Sequence, residues 1–199
     1  MSQGRRPVTV ALAAAVVAGV ALRVWLLVLP TGAFDSDEAV VGLVARHALY
    51  DGELSTFFWG QSYGGTLEPL LSAPLFAVFG AAVWTVKAVP IALLAGSAVL
   101  VWRLGRATIG EPAAAIGAAV YFVWPANLVW ISTKGRGFYG VTMVVGLGLL
   151  VCAARLARRP ERVADWALFG FLGGLGLWTS PLVLYFAVPA VVWVTAHAP

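Results

Sequence analysis

Charge is scarce in this chain. Only 11% of its 199 residues are Asp, Glu, Lys or Arg, against about 25% in a soluble globular domain. Cysteine is scarcer still: Cys152 stands alone, which excludes a disulfide framework. Two histidines in separate segments, His47 and His197, leave no zinc-ligand cluster of the usual spacing. The formal charge of +4 is small and no basic stripe interleaves with aromatics, so nucleic acid is not an expected partner. What the chain has instead is apolar surface, 61% hydrophobic residues at a mean hydropathy of +0.89. Disorder is thereby excluded too, because little of this chain would prefer water.

The composition and its distribution predict an all-α polytopic membrane protein with about five to six transmembrane helices. Val8 to Leu29 is long enough to span, with Arg23 its only charge, and Pro30, Thr31 and Gly32 stop it. Arg5 and Arg6 before an apolar run suggest a signal peptide, but the run is too long and no small-residue cleavage site follows. Further spans are expected at about Val83 to Leu104, Pro112 to Ile131, Phe138 to Ala154, Asp165 to Thr179 and Leu182 to Ala196. The positive-inside rule orients the set. With the N-terminus cytoplasmic, Arg5, Arg6, Arg103, Arg106, Arg155, Arg158, Arg159 and Arg162 fall inside, and only Arg46, Lys134 and Arg136 fall clearly outside. Arg23, costly within a span, is expected to snorkel or to pair with an outer-loop acid.

Residues 33–82 then form the first outer loop, which carries six of the nine carboxylates and is too long for a mere connection. Within it, Asp35 or Ser36 is a good N-cap, acids fill the next turn, and Val40, Leu43, Val44 and His47 recur at helical spacing. This predicts an amphipathic helix along the membrane surface, ended by Asp51-Gly52. A Gly-aromatic stretch follows, Phe57 to Pro69, then an apolar run of about half a span. Asp37-Glu38 has two readings: helix capping, which acids at an N-terminus favour through the backbone dipole, or a carboxylate base at the membrane face, kept ionised by that same dipole. Three acids within four residues exceed what a cap requires. Lys87, Lys134 and Arg136 read either as headgroup contacts or as cations for a phosphate. Glu68 reads as a turn residue or a second acid, Tyr63 as an interfacial aromatic or a sugar-stacking ring.

The layout resembles the N-terminal part of a GT-C-type membrane glycosyltransferase, nearest to the protein mannosyltransferase and aminoarabinose transferase group (glycosyltransferase family 39-like). The resemblance rests on the basic N-terminus, the Arg-containing first span, Asp37-Glu38 opening a surface helix, Tyr63 to Pro69, the basic residue opening the second span, and Trp178-Thr179-Ser180-Pro181. It covers nearly the whole chain in layout, while each motif alone is short. It implies transfer of a sugar from a polyprenyl-phosphate donor to a lipid, glycan or protein acceptor on the outer face of the cell's inner (plasma) membrane. It places the base or acceptor-orienting role on Asp37, with Glu38 supporting, and donor contacts at Asp35, Tyr63, Glu68, Lys87, Lys134 and Arg136. The sequence leaves a metal requirement open: Asp35, Asp37 and Glu38 could hold a divalent cation together with waters and the donor phosphate. Complete members of that group have more spans, so residues 1–199 are expected to form a single transmembrane domain belonging to a longer module. The competing readings are a transporter or lipid flippase, which would bury ionisable groups at mid-membrane, and a non-catalytic membrane scaffold.

Overall fold

The computed structural model describes residues 5–123 and 125–197. Every regular element among them is helical: α1 (Arg5–Val28), α2 (Ser36–Tyr50), α3 (Leu67–Phe79), α4 (Val83–Thr108), α5 (Glu111–Val123), α6 (Ala126–Ser132), α7 (Tyr139–Leu156), α8 (Val163–Thr179) and α9 (Leu184–His197). The expected basic start at Arg5 and Arg6 and the end of the chain at Ala198-Pro199 lie outside the described side chains. Two helices, α4 and α7, are each long and apolar enough to cross a bilayer. A third span is possible if α5 and α6 are taken together. Residues 12–28 of α1, together with α3, α8 and residues 181–197, are apolar but shorter.

Three boundaries differ usefully from the sequence expectation. The third expected span, Pro112 to Ile131, is not one straight helix: α5 and α6 meet at 63°. Pro125, N-cap of α6, explains the break, because its ring nitrogen has no hydrogen to donate back into α5. The surface helix α2 is built as expected from Asp35, with a reciprocal capping box between Asp35 and Glu38 and an end at Asp51. Its inward stripe, however, is Glu38, Val41, Val44 and Ala45, whereas Leu43 is exposed. The stripe has turned so that a carboxylate faces inward, which an apolar-periodicity argument does not anticipate. Finally, α2 rests on protein: Val41 and Ala45 pack with Phe58, Phe76 and Val86 in one core cluster.

The main core runs along α7. Val141, Val145, Leu149, Ala153 and Leu156 form one buried seam with Val183, Ala190 and Val194. Close approach is bought by small residues: a Cβ at Gly146 would sit 2.4 Å from the ring of Phe186, and one at Gly176 2.5 Å from Val183. The buried Cys152 is a free packing residue on the same helix. Arg23 of α1 is fully buried and neither snorkels nor meets an acid. Its Nε donates to Ser132 Oγ at 2.8 Å, Nη1 to the Gly19 carbonyl at 2.9 Å and Nη2 to the Phe122 carbonyl at 2.7 Å, while the guanidinium lies over the Phe122 ring at 4.3 Å. That carbonyl belongs to the last turn of α5, where the helix break leaves acceptors to be satisfied.

Candidate functional site

The N-terminal ends of α2, α3 and α4 converge with the loop between α6 and α7, and the charged residues of the first outer loop meet their partners there. Glu38 is at the centre, with no exposed surface. Lys87, one turn into α4, donates to both Glu38 oxygens at 2.7 and 2.9 Å and to the Thr133 carbonyl at 3.2 Å. The Gly135 N–H donates to Glu38 Oε1 at 3.1 Å. Lys134 bonds the Ala33 carbonyl at 2.6 Å and lies 3.2 Å from Asp35 and 3.6 Å from Glu38. Arg136 donates to Asp37 Oδ2 and reaches Asp35 at 3.3 Å. Three acids thus face three cations, and the surplus of acid over capping needs has a physical use. The 98 or so residues between α2 and its loop partners are closed by ion pairs rather than by apolar contact alone.

Within this set the carboxylates are not equivalent. Asp35 lies below the usual carboxylate range: partial burial pushes it up, but the Glu38 N–H, Lys134 and Arg136 together outweigh that. Asp37 is the most accessible, with about half of its side chain exposed. Glu68, at the first turn of α3, is fully buried without a cation of its own, and its Oε1 has no hydrogen-bond partner. Burial pushes this carboxyl up to about 7; the Glu38 charge adds to the rise and the N–H groups of Arg136 and Gly137 oppose it. Arg136 also keeps a buried Nε with no partner, and its guanidinium lies 4.8 Å over the Trp130 ring. The loop itself needs its glycines: Gly137 has φ +80, and a Cβ there would meet the Phe58 ring at 2.7 Å.

Of the residues singled out from sequence, Asp35, Asp37, Glu38, Glu68, Lys87, Lys134 and Arg136 come together. Tyr63 does not join them. It is half exposed and meets Phe138 edge-on at 6.1 Å. The Gly-aromatic stretch serves as a clasp: Gly65 N–H donates to the Thr179 carbonyl at 2.9 Å and Trp178 Nε1 to the Thr56 carbonyl at 3.1 Å, tying the outer loop to the end of α8. Sequence reasoning missed Trp130, Thr133 and the Gly135 N–H. The glycines interleaved with Lys134 and Arg136 were the available signal, since they free backbone N–H groups beside fixed cations.

Next to this cluster lies an apolar groove of ≈ 520 Å³, lined by Leu22, Leu26, Val123, Val129, Trp130 and Thr133 among others. Trp130 and Thr133 belong to both groove and cluster, through Arg136 and Lys87 respectively. The carboxylates as placed do not fit a divalent-cation site. Each is turned toward a Lys or Arg, and no three of His, Cys, Asp and Glu converge among the described residues. Compared with family models, with curated proteins and with solved structures, the chain finds no match in any of the three.

Proposed function

We propose that this chain carries the catalytic end of a membrane glycosyltransferase that uses a polyprenyl-phosphate sugar. The observation that carries the reading is the junction of the balanced charge cluster with the apolar groove at Trp130 and Thr133. A lipid phosphate needs cations at the membrane surface and an apolar path for its tail, and this junction offers both. In this reading six spans form, by α1, α4, the α5–α6 pair, α7, α8 and α9, with the N-terminus cytoplasmic and the acidic loop outside.

The donor phosphate takes Arg136, using the unpartnered Nε, and Lys134. Arg136 then lets go of Asp37. The freed Asp37 carboxylate accepts the proton of an acceptor hydroxyl as its oxygen attacks the anomeric carbon, and the bond from that carbon to the lipid phosphate breaks. Arg136 and Lys134 stabilise the charge that gathers on the departing phosphate. Glu38 is too enclosed to take a proton from an acceptor, and serves by fixing Lys87 and Gly135. No step passes through a metal ion.

The test is sugar transfer from a panel of polyprenyl-phosphate sugars in membranes containing the full gene product. Asp37→Asn is expected to lower turnover by about 100-fold or more with thermal unfolding unchanged. Retained turnover would discard the assignment of Asp37. An absence of transfer from any donor, with Asp37→Asn leaving partner assembly intact, would favour the scaffold reading. Arg23, the charge buried within α1, has its hydrogen bonds taken up by protein groups, which gives a translocation path no support.

A further inference from the structure

At the end of the bundle opposite the acidic cluster, four arginines from two helices surround one cavity. Arg103 and Arg106 come from the last turns of α4, Arg155 from the last turn of α7, and Arg158 from just beyond it. The cavity has ≈ 410 Å³ and its other lining residues are aliphatic; no acid lines it. Two helix C-termini would each be served by a single cation, so four converging guanidiniums exceed that need. Three are held in place by protein groups: Arg106 by Glu111 at 2.5 Å and by the Trp102 ring, Arg155 by Asp165 at 4.0 Å, and Arg158 by the Ala107 carbonyl. Among the described residues Arg103 has no carboxylate within salt-bridge distance.

A second cavity continues from the first. It has ≈ 420 Å³, shares Arg103, Val151 and Arg155 with the basic one, and is otherwise lined chiefly by Leu and Val of α4, α7 and α8, with Leu67 and Leu71 of α3 at its far end. Along α4 it extends from Arg103 back to Leu93, roughly 15 Å at the helical rise, and along α7 from Arg155 back to Val141, roughly 21 Å, so it reaches at least half the hydrocarbon thickness of a bilayer. A basic cup opening into an apolar trough at least one leaflet deep matches a molecule with an anionic head and an acyl tail.

We propose that this is a binding site for one anionic phospholipid, its phosphate among Arg103, Arg106, Arg155 and Arg158 and an acyl chain in the trough between α4, α7 and α8. The proposal needs the chain to lie in a membrane and is independent of the transferase reading. General attraction of basic residues to headgroups would involve every arginine at that end alike. A built site would depend on the four that line the cup and not on Arg159, which lies outside it.

The experiment titrates the full chain, in neutral detergent micelles, with phosphatidylglycerol, and reads the thermal unfolding midpoint together with lipid retained in native mass spectrometry. The expected result is a saturable rise in midpoint with one lipid bound, and no such rise with phosphatidylcholine or with inorganic phosphate. Arg103→Gln and Arg155→Gln are each expected to raise the half-saturating concentration about tenfold, with Arg159→Gln within about twofold of the parent. Leu168→Trp, an exposed trough residue, changes no charge and is expected to weaken phosphatidylglycerol by blocking the tail; it provides the test should an arginine variant not fold. Equal stabilisation by phosphatidylcholine, full reproduction by inorganic phosphate, or titrations of Arg103→Gln and Leu168→Trp matching the parent would each overturn the proposal.

Discussion

Glu68 is the residue at which burial and charge oppose each other most directly. Its carboxyl titrates at about 7 in the fold against 4.5 in the open chain, so between those values the folded protein holds a proton that the unfolded one has lost. Stability from this group is therefore present below pH 4.5 and is lost as pH rises through 7, over a span on the order of 3 kcal/mol. Glu68→Gln is expected to flatten the pH dependence of thermal unfolding between pH 5 and 8 and to be the more stable form at pH 8. The Glu38–Lys87 pair behaves differently, because each partner is buried with the other. Glu38→Gln or Lys87→Met alone is expected to cost about 3–5 kcal/mol, and the double variant less than the sum; chemical denaturation of the four forms measures the coupling. From sequence, the seven charged residues were readable as chemically active, and Asp35 as a cap, because capping is decided three residues away. Their pairings were not readable. Lys87, Lys134 and Arg136 each had several acids available, and only the folded geometry assigns Glu38 to Lys87 and Asp37 to Arg136.

Among the helices, α7 is the element on which the others are seated, and the glycines of α7 and α8 separate into two kinds. Gly146→Ala and Gly176→Ala would drive a methyl into Phe186 and Val183, and each is expected to lower stability by about 1–3 kcal/mol. Gly170→Ala on α8 meets nothing within 4 Å and is expected to be neutral or stabilising by up to about 1 kcal/mol. Thermal unfolding of the three variants in one detergent checks the contrast. Helix positions were legible in the hydropathy: α7, α8 and α9 begin and end within a few residues of expectation. The break between α5 and α6 was carried by Pro125 alone, set in an apolar run whose hydropathy gives no sign of a bend. The rotation of α2 was hidden for the opposite reason, since the residue that turns inward is charged and its cation lies 49 residues away.

At the scale of the molecule the two ends differ in kind. One gathers acids and cations in balance; the other gathers four arginines around a cup that no acid lines, two of them paired with Glu111 and Asp165. In the proposed orientation the first faces the exterior and the second the cytoplasm. Single cysteines placed in a Cys152→Ala background test this directly. Glu53→Cys, in the exposed outer loop, is expected to react with a membrane-impermeant maleimide on intact cells, and Glu161→Cys, in the exposed turn before α8, only after the membrane is opened. The reverse pattern would invert the orientation and remove the outer-face transfer with it.

The three hydrogen bonds of Arg23 also bear on how the protein is made. The carbonyl that receives this guanidinium is 99 residues further along the chain, which at about 5–20 residues per second takes the ribosome roughly 5–20 seconds to deliver. In the proposed orientation the first helix would spend that interval in lipid with only its own Gly19 carbonyl to answer the guanidinium, about 8 Å from its outer end. A nascent helix in that setting is expected to ride in a shifted early position, with the guanidinium drawn up to the headgroups. It is expected to settle to its final depth once the fifth helix offers the Phe122 carbonyl at its end. An intermediate of that kind is expected to have a lifetime set by translation speed, so slowing elongation between residues 30 and 120 is expected to prolong it.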